Sequence, residues 1–462
     1  MRLKKLSVRK LVPIWVIGVY ILLGLLILFA VQRVDPNRIY SRDSQSYQDT
    51  ALALLQAHKF SVSPSNLNSP QTVRTPGYPA FIASIYAIFG FNPIYVIIAQ
   101  ILISATSLWL TYSLTARLWN HKVAIAALLL VTINFEIIFL TQQILTETLF
   151  SFTVLCTATI MLILIDGSRP RWIMALLLGI TTALSTMVRP INYYFIIPLL
   201  LFLSLFCFKK KIGWKSSIIL LSLTSLPSIL LVGGWQVRNY LAVGNSDFSQ
   251  IEGVNLLYYR AADILAIHNH TSIDSERETL MNSYSDLKYM DSSQGGESYK
   301  QLGMNIIKQY PWLLPISISR GLAKMMLVPG ENSFMEYLGL PVAESGGVIG
   351  DLRRISLQTF VSKWLLNYRL QFSIFFLGGL YLLVIYIGSL FGILQALQEQ
   401  RNFFAHLFLL IMVGYFLLIS AGPEANSRFL APTIPILSIY AGQSLYRVAK
   451  NGRLRFMRHQ KS

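Results

Sequence analysis

Charge is scarce in this chain, and acidic charge is scarcest. Of 462 residues only 13% are Asp, Glu, Lys or Arg, and 21 acids face 39 bases. Soluble domains carry roughly 25% charged residues. With 54% apolar residues and a mean hydropathy of +0.52, this shortage excludes an ordinary cytosolic enzyme and a disordered or collagen-like chain. Cysteine is nearly absent: Cys156 and Cys207 both sit in apolar runs, which excludes a disulfide scaffold and a Cys-type zinc site. The histidines offer one pair, His268-Asn269-His270, at a spacing that does not make a helical metal pair. The sequence therefore names no metal ligands. Nucleic-acid motifs, fixed-period repeats and low-complexity tracts are also missing. So is the matched pair of Gly/Pro-broken spans that points to a secondary transporter's binding site.

What the chain has instead is long apolar runs. A membrane crossing needs about 20 such residues. Ten segments qualify: 12–31, 94–115, 123–141, 147–165, 172–188, 191–208, 216–234, 370–395, 402–420 and 429–446. Segment 76–91, closed off by Pro76 and Pro93, is short for a crossing. Segment 311–328 carries Arg320 and Lys324 near its centre. A charge at mid-bilayer costs roughly 2.5–3.5 kcal/mol, and these two share one helix face. Both segments are read as interfacial helices. The fold class is an all-α polytopic membrane protein of about ten transmembrane helices plus two interfacial ones, with extracytoplasmic loops.

The charge map orients the bundle. Loops 1–11, 116–122, 166–171, 209–215, 396–401 and 447–462 hold 20 of the 39 bases and only Asp166 and Glu399 of the acids. The rest of the chain has 19 of each sign and is neutral. By the positive-inside rule the basic loops and both termini are cytoplasmic. Anionic membrane lipids would meet that basic rim, and no nucleic acid is needed to explain the charge. Segment 12–31 is too long for a typical signal-peptide core and lacks a small-x-small cleavage site, so it reads as an uncleaved first span. The outer regions are then 32–93, 235–369 and 421–428, with helices expected near 44–57, 274–290 and 296–310.

Polar residues gather on that outer face. Asp43 stands before the 44–57 helix, either as a solvated cap or as a functional carboxylate. Arg74 lies in Arg74-Thr75-Pro76-Gly77-Tyr78-Pro79, a stiff break. It is either an interface anchor or a phosphate binder, since Arg presents paired planar donors. Glu147 opens the fourth span, where a carboxylate can serve the helix dipole or mark a site. Glu136 has a weaker case. Arg189-Pro190 sits in a tight turn between spans five and six, Trp235-Gln236-Val237-Arg238-Asn239-Tyr240 follows span seven, and Arg428 precedes the last span. Four arginines at span mouths with two carboxylates nearby would suit a lipid-phosphate substrate.

These residues carry a resemblance. Asp43-Ser-x-x-Tyr47-x-x-x-Ala51, Arg74-Thr-Pro-Gly-Tyr-Pro79, Thr146-Glu147, Arg189-Pro190, Trp235-x-x-Arg238-Asn239-Tyr240 and Arg428-Phe-x-x-Pro432-x-x-Pro435 follow one another from about residue 10 to 445. In this order and topology the chain resembles the bacterial GT-C glycosyltransferases of the protein mannosyltransferase and aminoarabinose transferase superfamily. The resemblance implies a catalytic membrane domain over 1–445 with a basic cytoplasmic tail over 446–462, in the inner or plasma membrane. It implies transfer of a monosaccharide from a polyprenyl-phosphate donor to a lipid, glycan or protein acceptor on the outer side. Asp43 and Glu147 then fall on catalytic positions. Arg74, Arg189, Arg238 and Arg428 fall on donor-phosphate positions, and Tyr47, Tyr78 and Asn239 on substrate-lining ones. Many members pair two acids in the first loop, whereas Asp43 is followed by Ser44, so cofactor use, a divalent metal included, stays open. Two other functions remain: a transporter or flippase of a lipid-linked sugar, against which the nearly charge-free span interiors speak, and a lipid-linked oligosaccharide ligase or polymerase. A catalytically dead homologue acting as an assembly partner is a third reading, against which the joint presence of Asp43 and Glu147 argues.

Overall fold

A computed structural model describes residues 8–284, 292–343, 347–398 and 402–459. Among them the chain is a helical, multi-pass membrane protein. Eight helices are long and apolar enough to cross a bilayer: Leu11–Val34, Pro93–Leu118, Glu147–Asp166, Arg171–Val188, Pro190–Lys209, Trp214–Val243, Arg369–Gln398 and Phe403–Ser420. Each matches an expected span.

The third expected span, 123–141, is not one rod. It breaks into His121–Thr132 and Phe135–Thr141, bent by 63°. The Asn134 side chain accepts a hydrogen bond from Ile137 N at the break and so starts a second helix with its own cap. The tenth expected span begins later than 429, at Ile434–His459. A capped turn at Ser427–Leu430 occupies the residues before it. Residues 430–444 are buried throughout, so this stretch sits inside the bundle.

The two shorter helices are Gly77–Phe89 and Leu314–Leu327. At 1.5 Å rise per residue neither reaches the roughly 30 Å hydrocarbon thickness, which agrees with the interfacial reading. Of the loop helices expected outside the spans, Ser44–Ala57 has the expected bounds, and Ile273–Ser283 and Ser292–Gln309 fall near theirs. Residues 285–290 of the expected 274–290 helix lie outside the described residues. A small antiparallel pair, Ser61–Ser63 with Asn66–Pro70, closes the first loop; nothing in the sequence reading anticipated it.

Two glycines let the site's loops come close to the bundle. A Cβ on Gly77 would lie 2.7 Å from the Met187 carbonyl, so only glycine brings the Arg74 loop onto the end of Arg171–Val188. Thr75 Oγ1 donates to Val188 O there at 3.1 Å. Gly321, on Leu314–Leu327, meets the Gly422 backbone with no room for a side chain, and this seats the loop that leads to Arg428. The main core lies between the spans, where Phe195 stacks on Phe416 at 5.7 Å.

Candidate active site

The site assembles at one end of the bundle from four distant pieces of chain. Asp43 occupies the residue before helix Ser44–Ala57 but makes no capping hydrogen bond. Ser44 instead donates to Ile144 O at 2.8 Å, tying the helix start to the strand of chain that leads into Glu147. The Asp43 carboxylate is thereby free of the helix end and turns to arginines. Arg74 Nη2 donates to its Oδ1 at 2.9 Å, and Arg428 Nη2 to its Oδ2 at 3.2 Å. The solvated-cap reading of Asp43 is therefore not the one the geometry takes.

Glu147 is the other carboxylate. Arg189 Nη1 lies 2.9 Å from its Oε1, and Arg428 Nε lies 3.4 Å from the same oxygen. The second contact is an ion pair at this distance without hydrogen-bond alignment, since Arg428 Nε has no hydrogen-bond partner. The five charges thus alternate in one chain: Arg74, Asp43, Arg428, Glu147, Arg189. Three guanidiniums against two carboxylates leave one net positive charge, which suits an anion.

The arginines are held in place by apolar and polar neighbours. Arg74 Nε donates to Ser46 Oγ at 2.7 Å, and its guanidinium lies over the Tyr47 ring at 4.7 Å. Arg189 lies over Phe429 at 5.2 Å. Such stacking holds a planar group without using its hydrogen-bond donors. Burial by itself would raise the Asp43 carboxyl; Arg74 and then Arg428 outweigh it and hold it below the ordinary Asp value. The two acids differ in access. The Glu147 side chain is 2% exposed and that of Asp43 29%, so Asp43 is the more open of the two to an incoming molecule.

All five charged groups line one open cavity of about 540 Å³, and Tyr47 lines it with them. Three other residues expected at the site stand outside the cavity wall. Arg238 is outside the cavity wall: it donates to Phe60 O at 2.6 Å and Gln71 O at 2.9 Å, and stacks on Trp235. Two of its guanidinium donors fasten the first loop to helix Trp214–Val243, and a third goes to Asn239 Oδ1 at 3.0 Å. Tyr78 is fully buried behind Tyr47, edge-on at 5.1 Å, with its hydroxyl on Gln100 at 2.6 Å. Asn239 is buried and donates to Asp247 O at 2.8 Å. It shapes a cavity segment without facing the cavity. Glu136 lies beside Ser427.

Several cavity residues went unseen in sequence. Tyr193, Tyr194, Asp247, Glu252, Arg260, Lys300 and Glu424 all line it. Arg260 Nη2 pairs with Glu424 Oε1 at 3.1 Å, across 164 residues. Tyr193-Tyr194, which follows Arg189-Pro190 after two intervening residues, was an available local signal. Among the described residues, no group of three or more His, Cys, Asp or Glu stands together as a metal site.

Residues 73–230 match the family model described as dolichyl-phosphate-mannose-protein mannosyltransferase. This agrees with the superfamily resemblance and covers Arg74, Glu147 and Arg189. No curated protein matches the chain in sequence. Among solved structures, the chain is similar to the Archaeoglobus fulgidus oligosaccharyltransferase in its apo form, at 13% identity and TM-score 0.48, covering 94% of this chain and 52% of that one. AglB of the same organism, in complex with an inhibitory peptide and a dolichol-phosphate, aligns at 12% identity and TM-score 0.49, with coverages of 96% and 52%. ArnT from Cupriavidus metallidurans bound to undecaprenyl phosphate aligns at 11% identity and TM-score 0.40, with coverages of 92% and 77%. The chain spans about half the length of the oligosaccharyltransferase chains.

Proposed function

We propose that this protein is an integral-membrane glycosyltransferase. It moves a monosaccharide from a polyprenyl-phosphate carrier to an acceptor hydroxyl on the extracytoplasmic face. The observation that carries the reading is the alternating chain of Arg74, Asp43, Arg428, Glu147 and Arg189 along one open cavity. The family match over residues 73–230 supports it.

The chemistry accounts for the residue types. A sugar carried as a phosphodiester has one negative charge on its phosphate. Breaking the bond from the anomeric carbon to the phosphate oxygen releases a phosphomonoester, so negative charge grows on the leaving group as the bond opens. Arg74, Arg428 and Arg189 face that growing charge and stabilise the transition state more than the bound donor. The anomeric carbon gains oxocarbenium character. The acceptor oxygen attacks from the opposite face, forming the new glycosidic bond with inversion, and its proton passes to the Asp43 carboxylate.

Of the two acids in the arginine chain, Asp43 is the more accessible, which supports giving it the acceptor. Its two arginine partners make it a weak base in the resting enzyme. They are also the groups that a donor phosphate would draw away, which would return basicity to Asp43 when substrate is bound. Glu147, buried between Arg189 and Arg428, would hold those two guanidiniums in line. A transporter would need charge distributed along a path through the bundle; these charges are gathered in a single cavity at one end.

The test is a transfer assay on the purified protein in lipid nanodiscs with a panel of undecaprenyl-phosphate sugars, following release of undecaprenyl phosphate. Wild type is expected to turn over at least one donor, and Asp43→Asn to bind the same donor without transferring. Movement of intact donor between leaflets with no carrier release would replace the enzyme with a flippase.

A further inference from the structure

We propose that the cavity wall formed by Asp247, Glu252 and Lys300 is the subsite for the donor's sugar, shaped for an uncharged, polyhydroxylated ring. The proposal rests on the donor reading above and specifies its substrate class. Lys300 Nζ lies 3.4 Å from Asp247 Oδ1 and 3.3 Å from Glu252 Oε2. An ammonium has three N–H donors, so one remains after these two pairs, on a side chain 31% exposed on the cavity wall. Each carboxylate in turn keeps unused lone pairs, although Glu252 Oε1 also accepts from Tyr194 at 3.5 Å and Asp247 Oδ2 from Asn245 at 3.5 Å. The wall therefore offers donors and acceptors side by side. Sugar hydroxyls both donate and accept, and they match such an alternation.

Beside these groups lies an apolar surface. The Tyr193 and Phe248 rings stand 5.5 Å apart at 32°, and both line the cavity. The C–H face of a pyranose packs on such rings, while its hydroxyls turn to the polar groups. Two carboxylates next to one ammonium disfavour an acidic sugar. A cationic sugar would have to sit against Lys300.

The position of this wall favours the donor sugar over the acceptor. Segment 247–251 is fastened to the loop that carries Arg74: Ser249 Oγ donates to Val73 O at 2.6 Å, and Gln250 N to Thr72 O at 3.1 Å. Thr72 Oγ1 donates back to Gln250 Oε1 at 2.9 Å. The phosphate-facing arginine and the sugar-facing wall thus keep a fixed spacing. A donor, whose sugar and phosphate are covalently joined, requires that spacing; an acceptor does not.

Binding to the purified full-length protein in nanodiscs tests this. The probes are undecaprenyl phosphate and undecaprenyl phosphate esterified to glucose, mannose, galactose or glucuronate. Wild type is expected to bind at least one neutral hexose ester tenfold or more tighter than the bare carrier, and the glucuronate ester no tighter. Lys300→Met and the conservative Glu252→Gln should each lose most of that gain and keep wild-type affinity for bare undecaprenyl phosphate. The subsite is overturned if both variants retain the gain, if affinity for the bare carrier falls equally, or if the glucuronate ester gains as much as a neutral one. A wild-type protein that binds the neutral esters no tighter than the carrier also overturns it, with the donor reading intact. Failure of wild type to bind undecaprenyl phosphate at all removes the donor reading and the subsite together.

Discussion

Arg428 donates to the Asp43 carboxylate at 3.2 Å although 385 residues separate them. The same side chain lies 3.4 Å from Glu147. One guanidinium therefore couples the first outer loop, the mouth of the fourth span and the entry to the last helix. A donor phosphate that takes up Arg428 alters the surroundings of both carboxylates at once.

Asp43→Asn should separate catalysis from folding. The residue makes no capping hydrogen bond, and Asn is a good residue before a helix in any case. The variant should therefore express and fold, melt somewhat below wild type because its ion pairs with Arg74 and Arg428 are lost, bind donor, and lose about 10²–10⁴-fold in turnover, the range for removal of a general base. Transfer within threefold of wild type would move the acceptor role to another group.

Arg74 tests the geometry of phosphate recognition. Arg74→Lys keeps the charge but loses the planar fork that reaches Asp43 and Ser46 together. We expect turnover to fall roughly tenfold or more, about 1.4 kcal/mol of barrier, with Arg74→Ala falling further. Unchanged donor binding and turnover in Arg74→Ala would return this residue to a loop anchor.

The Asp43 ion pairs also set a pH dependence. Burial alone would raise the carboxyl, but Arg74 and Arg428 hold it below the ordinary value of 3.8. A depressed acid contributes stability above its unfolded pKa and loses it as pH falls through the folded one. In wild type Asp43 should therefore stay ionised across any practical assay range. Arg74→Gln removes one partner, so the acid limb of kcat/KM should move toward neutral pH. The phosphodiester donor does not titrate there. A limb that stays in place would uncouple Arg74 from Asp43.

Arg238 should behave oppositely to Arg74. Its guanidinium binds Phe60 O, Gln71 O and Asn239 Oδ1, away from the cavity. Arg238→Met is expected to lower the melting temperature while affinity for undecaprenyl phosphate stays within about twofold of wild type. Loss of carrier affinity at unchanged melting temperature would place it back in the phosphate site.

Topology has its own test. If the basic loops are cytoplasmic, as the positive-inside rule expects, Ser283 at the end of helix Ile273–Ser283 should lie outside. A cysteine there should react with a membrane-impermeant maleimide on intact spheroplasts. Reaction only after permeabilisation would invert the bundle.

Much of this protein is legible in its sequence because the signals are local. A span is read from about 20 consecutive apolar residues, and the basic loops from their own charge count. The 44–57 helix follows from its flanking residues. None of these readings needs to know what packs against what. Even the resemblance, carried by Asp43, Arg74, Glu147, Arg189 and Arg428, is a matter of order along the chain. What the tertiary structure decided is which of those residues meet. Arg238 and Arg428 looked alike in sequence, each an arginine at a span mouth. Packing turned Arg238 into a clamp on backbone carbonyls and Arg428 into the bridge between two acids. The bend at Asn134 and the far wall of Asp247, Glu252 and Lys300 were likewise hidden. The first depends on one side-chain cap winning over a continuous apolar run. The second depends on helix Ser292–Gln309 being laid against a loop some 50 residues earlier, with Lys300 reaching Asp247 across 53 positions. Hydropathy and periodicity act over a few turns of chain. Ion pairs between distant segments form only once the apolar spans have packed, and so their partners are set by the fold.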